Sequence, residues 1–193
     1  MRPDAPTRGH LVSAYLKGER IAPLDYLFDV ASEGHRSAQR LQSAGRRFHA
    51  ARTCMYGNRA EALPTLLQAG VHAVCHSLLN TPWSKLVAQR DALRDLILAN
   101  EQPTLDQMID TLRDPHIADD NTLPSTGLSI EREQVLSVAF IETPDYVTRS
   151  TTALRVTPGM AKVSVELKER SDDSSHRVVR PGSFERAFGF EVA

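Results

Sequence analysis

The hydrophobic repeat of the chain changes near Gly127, and this change limits the folds that the chain can adopt. Before Gly127, apolar residues recur every three or four positions, as is typical of amphipathic helices. After it, Val163, Val165 and Leu167 alternate with polar and charged residues, as is typical of half-buried strands. The sequence therefore predicts an α+β fold, in which a helical N-terminal half of about five helices packs on a C-terminal antiparallel β-meander.

Turn-forming residues divide the chain into four predicted segments. Residues 1–9 contain two prolines and a glycine and are expected to form a flexible leader. Residues 114–127 contain two prolines, a glycine and three aspartates, so they are the predicted linker. The helical half then covers residues 10–113, and the β half covers residues 128–193. Within the β half, the apolar run 134–142 predicts a buried strand.

An arginine-rich stretch covers residues 34–60, with six arginines and no acidic residue. Apolar residues at alternating spacings of three and four predict a helix with one apolar stripe: Leu41, Ala44, Phe48, Ala51 and Met55. Arg36, Arg40 and Arg47 would project together from another side of this helix. With Arg46, they form the predicted binding site for an acidic protein partner.

These features predict a non-enzymatic interaction or regulatory protein, an accessory protein of bacterial or viral origin. The chain lacks the run of about 18 apolar residues that a membrane span needs. The first ten residues lack the apolar core of a general secretory signal, which predicts a cytoplasmic protein, although specialised secretion machines need no such core. No phosphate-cradling glycine loop is present, so no cofactor is expected. The oligomeric state is not predicted.

An acidic segment offers the arginines a partner within the same chain. Residues 101–133 contain eight acidic residues and two arginines. The net charge is −1, so the +6 of residues 34–60 is balanced by about −7 elsewhere. An acidic segment that folds back on the arginine face is therefore an alternative to an external partner.

Cys54 and His176 support an enzymatic alternative. Neighbouring arginines would favour the thiolate of Cys54, and Asp172 or Asp173 would orient the imidazole of His176. A helical half with a cysteine, followed by an antiparallel sheet with a histidine, resembles the layout of papain-like hydrolases and of several deamidating bacterial toxins. This resemblance implies a cysteine-dependent hydrolase or deamidase. In the structural interpretation, Cys54 is a small buried side chain and His176 a surface histidine.

Two histidines on a predicted helix could share a metal ion. His72 and His76 lie four positions apart, on a helix expected from about Arg59 to Leu78. A metal site normally needs a third ligand, and none can be identified. No metal site is therefore predicted.

A nucleic-acid-binding regulator is the third functional hypothesis. The arginine face supports it. The run Gln68-Ala69-Gly70-Val71, with the residues that follow it, resembles the turn and second helix of helix-turn-helix repressors. The sequence pI of about 6.7 argues against a dedicated DNA-binding protein.

Overall fold

The structure is a computed structural model that describes residues 8–18, 22–32, 42–47, 52–57, 63–75, 78–144, 146–173 and 180–192. These residues form helices and two antiparallel three-stranded sheets, which confirms the predicted mixture of helices and antiparallel sheet. The chain divides into two compact units, Met1–Gly70 and Val71–Ala193. The division into leader, helical half, linker and β half stays a prediction.

The first unit combines two helices with a small sheet. Its elements are α1 (Arg8–Lys17), α2 (Pro23–Ser32), β1 (Gln42–Arg47), β2 (Arg52–Gly57) and β3 (Thr65–Leu66). The strands are antiparallel in the order β1-β2-β3. Pro23 begins α2 at a position where its missing N–H costs nothing.

The core of the first unit lies between α2 and the β1–β2 hairpin. Leu27 and Val30, one turn apart on α2, cluster with Cys54 and Tyr56, which lie two positions apart on β2. All four side chains are buried. The helix thus contributes residues at a spacing of three and the strand at a spacing of two, as the two backbone geometries require.

The predicted arginine helix is wrong for the described residues between 42 and 57, which form β1 and β2. Cross-strand pairing joins Gly45 to Cys54 and Arg46 to Thr53. The physical reason is that Cys54 and Tyr56 alternate with the less buried Thr53 and Met55, so β2 buries one face against α2. Arg36 and Arg40 lie outside the described residues.

The second unit contains three helices and the larger sheet. Its elements are α3 (Ser84–Ala99), α4 (Leu105–Asp110), a 3₁₀ turn (Asp120–Thr122), α5 (Ile130–Ser137), β4 (Ser150–Pro158), β5 (Val163–Asp173) and β6 (Arg180–Val192). The strands form a meander in the order β4-β5-β6. β5 covers the alternating residues Val163, Val165 and Leu167, so the predicted C-terminal meander is matched in part.

One face of the meander is covered by α4 and the segment before it. Thr151 and Ala153 are buried, whereas Thr152 and Leu154, on the opposite face, are exposed. Ala153 is paired with Lys168, whose ammonium binds Asp106 of α4. Since paired residues share a face, α4 lies on the face of Ala153 and Lys168. Ile109 of α4 is 0% exposed and anchors this contact.

Two further local predictions are wrong. Where the structure describes the helix expected from about Arg59 to Leu78, over residues 63–75, it shows β3 and irregular backbone instead. Leu67 N–H donates to Thr53 O at 2.8 Å and continues the pairing with β2. The strand expected over 134–142 overlaps α5. Glu131 and Glu133 lie in the first turn of α5, where negative charge stabilises the positive end of the helix dipole.

The helical first half is therefore only partly matched, since it includes a β-sheet. No helix in the described part of the chain is long and apolar enough to cross a membrane.

Candidate functional site

Cys54, the proposed nucleophile, lies in the middle of β2 and is 1% exposed. A helix terminus that could tune its thiol is not present at this position, because the segment is a strand. His176 lies outside the described residues. The backbone of Asp172 and Asp173 belongs to the end of β5. The pairing of Cys54 with His176 therefore stays a prediction.

Arg46 and Arg47 are neighbours on β1, where their backbones pair with Thr53 and Arg52. The binding site predicted to include Arg46 and Arg47 stays a prediction. Arg36 and Arg40, the other members of that site, lie outside the described residues.

A loop before α3 is closed by a single asparagine. We call the described residues 72–75 and 78–80 the Asn80 loop. Asn80 N–H donates to Ala73 O at 2.8 Å, and Ala73 N–H donates to Asn80 Oδ1 at 3.0 Å. Asn80 Nδ2 lies 3.0 Å from His72 Nδ1. One side chain thus holds both the backbone and the imidazole at the other end of the loop.

The backbone of Asn80 has an uncommon conformation. Its φ of 55° places it in the left-handed region, where it is the one non-glycine example among the described residues. Asparagine tolerates this region better than most residues because its short polar side chain bonds locally. Backbone outliers of this kind concentrate at functional sites. The Asn80 loop is therefore the candidate site.

The surface of the loop combines apolar and reactive groups. Val74 is 48% exposed and Leu78 is 45% exposed, although both are large apolar residues. Cys75, between them in sequence, is a half-buried free thiol. Exposed apolar side chains on a closed loop are suited to recognising a partner or an apolar ligand.

Lys85, in the first turn of α3, connects this region to α5. Its Nζ donates to Leu136 O at 2.6 Å, in the last turn of α5, where a cation interacts favourably with the helix dipole. Burial lowers the pKa of Lys85, while Cys75 and Glu133 act in the opposite direction. The ammonium therefore has a structural role as the C-terminal cap of α5.

Glu133 is the buried acidic residue of α5. It is 6% exposed and accepts hydrogen bonds from the N–H and the hydroxyl of Thr126. These bonds, first that of the Thr126 hydroxyl, lower the pKa of Glu133. The carboxylate holds the segment before α5 against the helix, so its partners satisfy it within the fold.

Sequence reasoning missed a charge network between α4 and the meander. Lys168 and Arg170 of β5 bind Asp106 and Asp110 of α4 and Glu185 of β6 at distances of 2.6–3.0 Å. The signal was present, because acids four apart share a helix face and bases two apart share a strand face. The acidic segment thus pairs with β5 at these positions.

The described residues provide neither a metal site nor the expected nucleic-acid-binding helix. His72 bonds Asn80, and His76 lies outside the described residues. Over the described ranges, no group of three or more histidine, cysteine or acidic side chains could hold a metal ion. Residues 71–75 are irregular, so the recognition helix expected from the helix-turn-helix resemblance is wrong there.

Comparison with known proteins gives a consistent result. Residues 1–171 match the sequence profile of the family TANGO2, described as Transport and Golgi organisation 2. The chain is 30% identical to the mouse Transport and Golgi organization 2 homolog, over 68% of the chain and 48% of the mouse protein. It is 28% identical to the cattle homolog, over 79% of the chain and 58% of that protein. It is 26% identical to the human homolog, over 94% of the chain and 68% of that protein.

These relatives correct two predictions. The expected bacterial or viral accessory protein is wrong, because the matched relatives are mammalian. The expected regulator with an arginine-rich helix face is wrong as well, because the described residues between 42 and 57 form β1 and β2, and residues 1–171 match the TANGO2 profile. The chain spans about half the length of the mouse and cattle relatives.

Proposed function

Because the chain belongs to the TANGO2 family, we propose that it acts in transport and in the organisation of the Golgi. The observation that carries this proposal is the match of residues 1–171 to the family profile. The mouse, cattle and human relatives carry the same description in their names. Since the chain spans only part of those proteins, the proposal concerns the cellular process rather than a complete reaction.

The Asn80 loop is the part of the described chain to which we assign this function. Three polar contacts of Asn80 hold the loop in shape. Val74 and Leu78 remain about half exposed on it, although burying the rest of each side chain would be favourable by about 1 kcal/mol. A loop whose two ends are joined by hydrogen bonds loses less conformational entropy on binding than an open one, which supports a role in recognition.

We also propose that the protein acts on the cytoplasmic side of the Golgi membrane. The chain has only two cysteines, too few for a disulfide framework, as is common in a reducing compartment. A tagged chain in digitonin-permeabilised cells should be digested by added protease, while a lumenal marker stays intact. Protection of the tagged chain until the Golgi membrane is dissolved would place it in the lumen and contradict this assignment.

Rescue in cells tests the function. Mammalian cells depleted of their own relative would receive the full chain, the Asn80→Ala variant or the Asn100→Ala variant. We expect the wild type to restore the transport rate of a secretory cargo and the compact shape of the Golgi. Asn80→Ala should fail, because it removes both side-chain contacts and leaves alanine with a φ that it adopts poorly.

Asn100→Ala is the matched control. Asn100 is an exposed asparagine after α3 whose side chain accepts a local hydrogen bond from Gln102 N–H. The Asn100→Ala variant should restore transport as the wild type does. Failure of the wild type to restore transport would contradict the proposed function. Equal rescue by both variants, at equal protein level, would contradict only the assignment to the Asn80 loop.

A further inference from the structure

β6 has a free edge in the part of the chain that the structure describes. It lies at one end of the β4-β5-β6 sheet and pairs with β5 alone among the described strands. Each residue from Phe184 to Glu191 is exposed, on both faces of the strand. A long exposed edge presents unpaired N–H and C=O groups to any other strand that approaches.

The other end of the sheet differs from β6. β4 carries the buried residues Thr151 and Ala153, and α4 covers its face. β6 contains no lysine, and its one proline, Pro181, lies before the exposed stretch that begins at Phe184. The free edge of β6 is therefore the stronger candidate for pairing with another strand.

One face of β6 is aromatic. Phe184 is 64% exposed, Phe188 is 59% exposed and Phe190 is 55% exposed. These residues lie at even spacing on the face opposite to α4, since Phe188 pairs with Leu167 and Phe190 with Val165. A strand added beside β6 would therefore gain aromatic contacts as well as backbone hydrogen bonds.

We propose that β6 pairs antiparallel with β6 of a second copy of this chain, about a two-fold axis at Ala187. In this register Ala187 faces its own copy, and Phe184 faces Phe190 of the second copy. Arg186 faces Phe188 of the second copy, a favourable pairing of a cation with an aromatic ring. Glu185 faces Gly189. The two sheets become one six-stranded sheet.

The avoidance of like-charge pairs selects this register. A two-fold axis at Arg186 or Glu185 would place identical charges directly opposite each other, which is unfavourable. An axis at Phe188 would place Glu185 opposite Glu191 twice. An axis at Gly189 avoids like charges but pairs fewer residues, because β6 ends at Val192. The axis at Ala187 joins the longest run of residues without a like-charge pair.

Charge reversal at the axis tests the pairing. Ala187→Lys and Ala187→Glu, made in the full chain, each place two like charges opposite each other. Sedimentation equilibrium should give twice the monomer mass for the wild type. For each variant alone, the dissociation constant of the dimer should be at least about tenfold higher. An equimolar mixture of the two variants should recover the dimer, because lysine then faces glutamate. Recovery also shows that both variants are folded.

Thr157→Lys is the matched control, since Thr157 is an exposed residue of the other edge strand, β4. It should leave the dimer unchanged. A monomeric wild type, an open-ended polymer, or a dimer weakened by Thr157→Lys and not by the Ala187 variants would each overturn the proposal. A mixture that stays monomeric would overturn the register at Ala187.

Discussion

Arg170 on β5 donates a hydrogen bond to Asp106 on α4 at 2.7 Å, although 64 positions separate the two residues. Arg170 also binds Asp110 at 2.6 Å and Glu185 at 2.8 Å. Its side chain is only 15% exposed, whereas the three carboxylates are about half exposed. One guanidinium therefore joins α4 to two strands of the meander.

Replacing this guanidinium should destabilise the second unit. Arg170→Met keeps most of the apolar stem and removes every charged contact. We expect the free energy of unfolding to fall by about 1 kcal/mol, because the ion pairs of Arg170 are lost. The loss is limited because the carboxylates are exposed enough to regain water. Urea unfolding followed by the fluorescence of Trp83, the single tryptophan, measures the change in this unit.

Arg132→Met is the control for that prediction. Arg132 is an exposed residue of α5 in the same unit. Its loss should change the free energy of unfolding by less than about 0.5 kcal/mol. Equal losses for the two variants would show that the network around Arg170 adds no stability of its own.

Acid should weaken the contact between α4 and the meander. The Lys168 ammonium lowers the pKa of Asp106 and, followed by Arg170, that of Glu185. A carboxylate with a lower pKa in the folded state stabilises the fold above its unfolded-state pKa and stops doing so as the pH falls through the folded value. We therefore expect the urea concentration at the unfolding midpoint to decrease as the pH is lowered below about 4.

The comparison for this pH effect is a chain that carries Lys168→Met and Arg170→Met together. Without the two cations, the folded pKa values of Asp106 and Glu185 should return toward their unfolded values. The loss of stability between pH 5 and pH 3 should then be smaller than in the wild type. An identical pH dependence would mean that other carboxylates control acid unfolding.

The two cysteines should react at different rates. Cys54 is 1% exposed inside the first unit, whereas Cys75 is half-buried in the Asn80 loop. A chromogenic disulfide reagent should modify Cys75 first, and Cys75→Ser should abolish this fast phase. Cys54→Ser should lower stability by about 1–3 kcal/mol, because it buries a hydroxyl in an apolar cluster. Faster modification of Cys54 would indicate an accessible, activated thiol.

The start of α4 depends on a capping box. Thr104 Oγ1 accepts from Gln107 N–H, and the Gln107 side chain accepts from Thr104 N–H. Thr104→Ala should cost about 1 kcal/mol of stability, measured by urea unfolding. Gln102→Ala, a change to an exposed residue before the helix, should cost less than about 0.5 kcal/mol. A cost for Thr104→Ala no larger than that of Gln102→Ala would show that α4 is held by its packing alone.

Elements with strong local signals could be predicted from the sequence. Pro23 marks the start of α2, and Thr104 precedes α4. The alternation of Val163, Val165 and Leu167 lies on β5, as expected. These signals succeed because caps and side-chain periods depend on neighbours within a few positions.

The β1–β2 hairpin could not be predicted in this way. Its strands depend on the pairing of Gly45 with Cys54 and on the packing of Cys54 against α2, contacts between residues distant in sequence. The spacing of Leu41, Ala44 and Phe48 suits a helix by chance. Tertiary contacts therefore overrode a local pattern.

The candidate site was also hidden from local reasoning. In the sequence, Asn80 precedes Thr81 and Pro82, a combination that is typical of a helix boundary. Its role comes from contacts with His72 and Ala73, which the sequence separates by seven or eight positions. A short polar side chain gives no sequence signal for which backbone group it will bind.

The spacing of the α4–β5 network has a consequence for the nascent chain on the ribosome. Asp110 is synthesised 60 residues before Arg170. At about 5–20 residues per second, α4 is synthesised about 3–12 s before its cationic partner. A helix of six residues is too short to persist alone in water. This segment should therefore remain an unfolded, acidic stretch for several seconds, open to chaperones until β5 emerges.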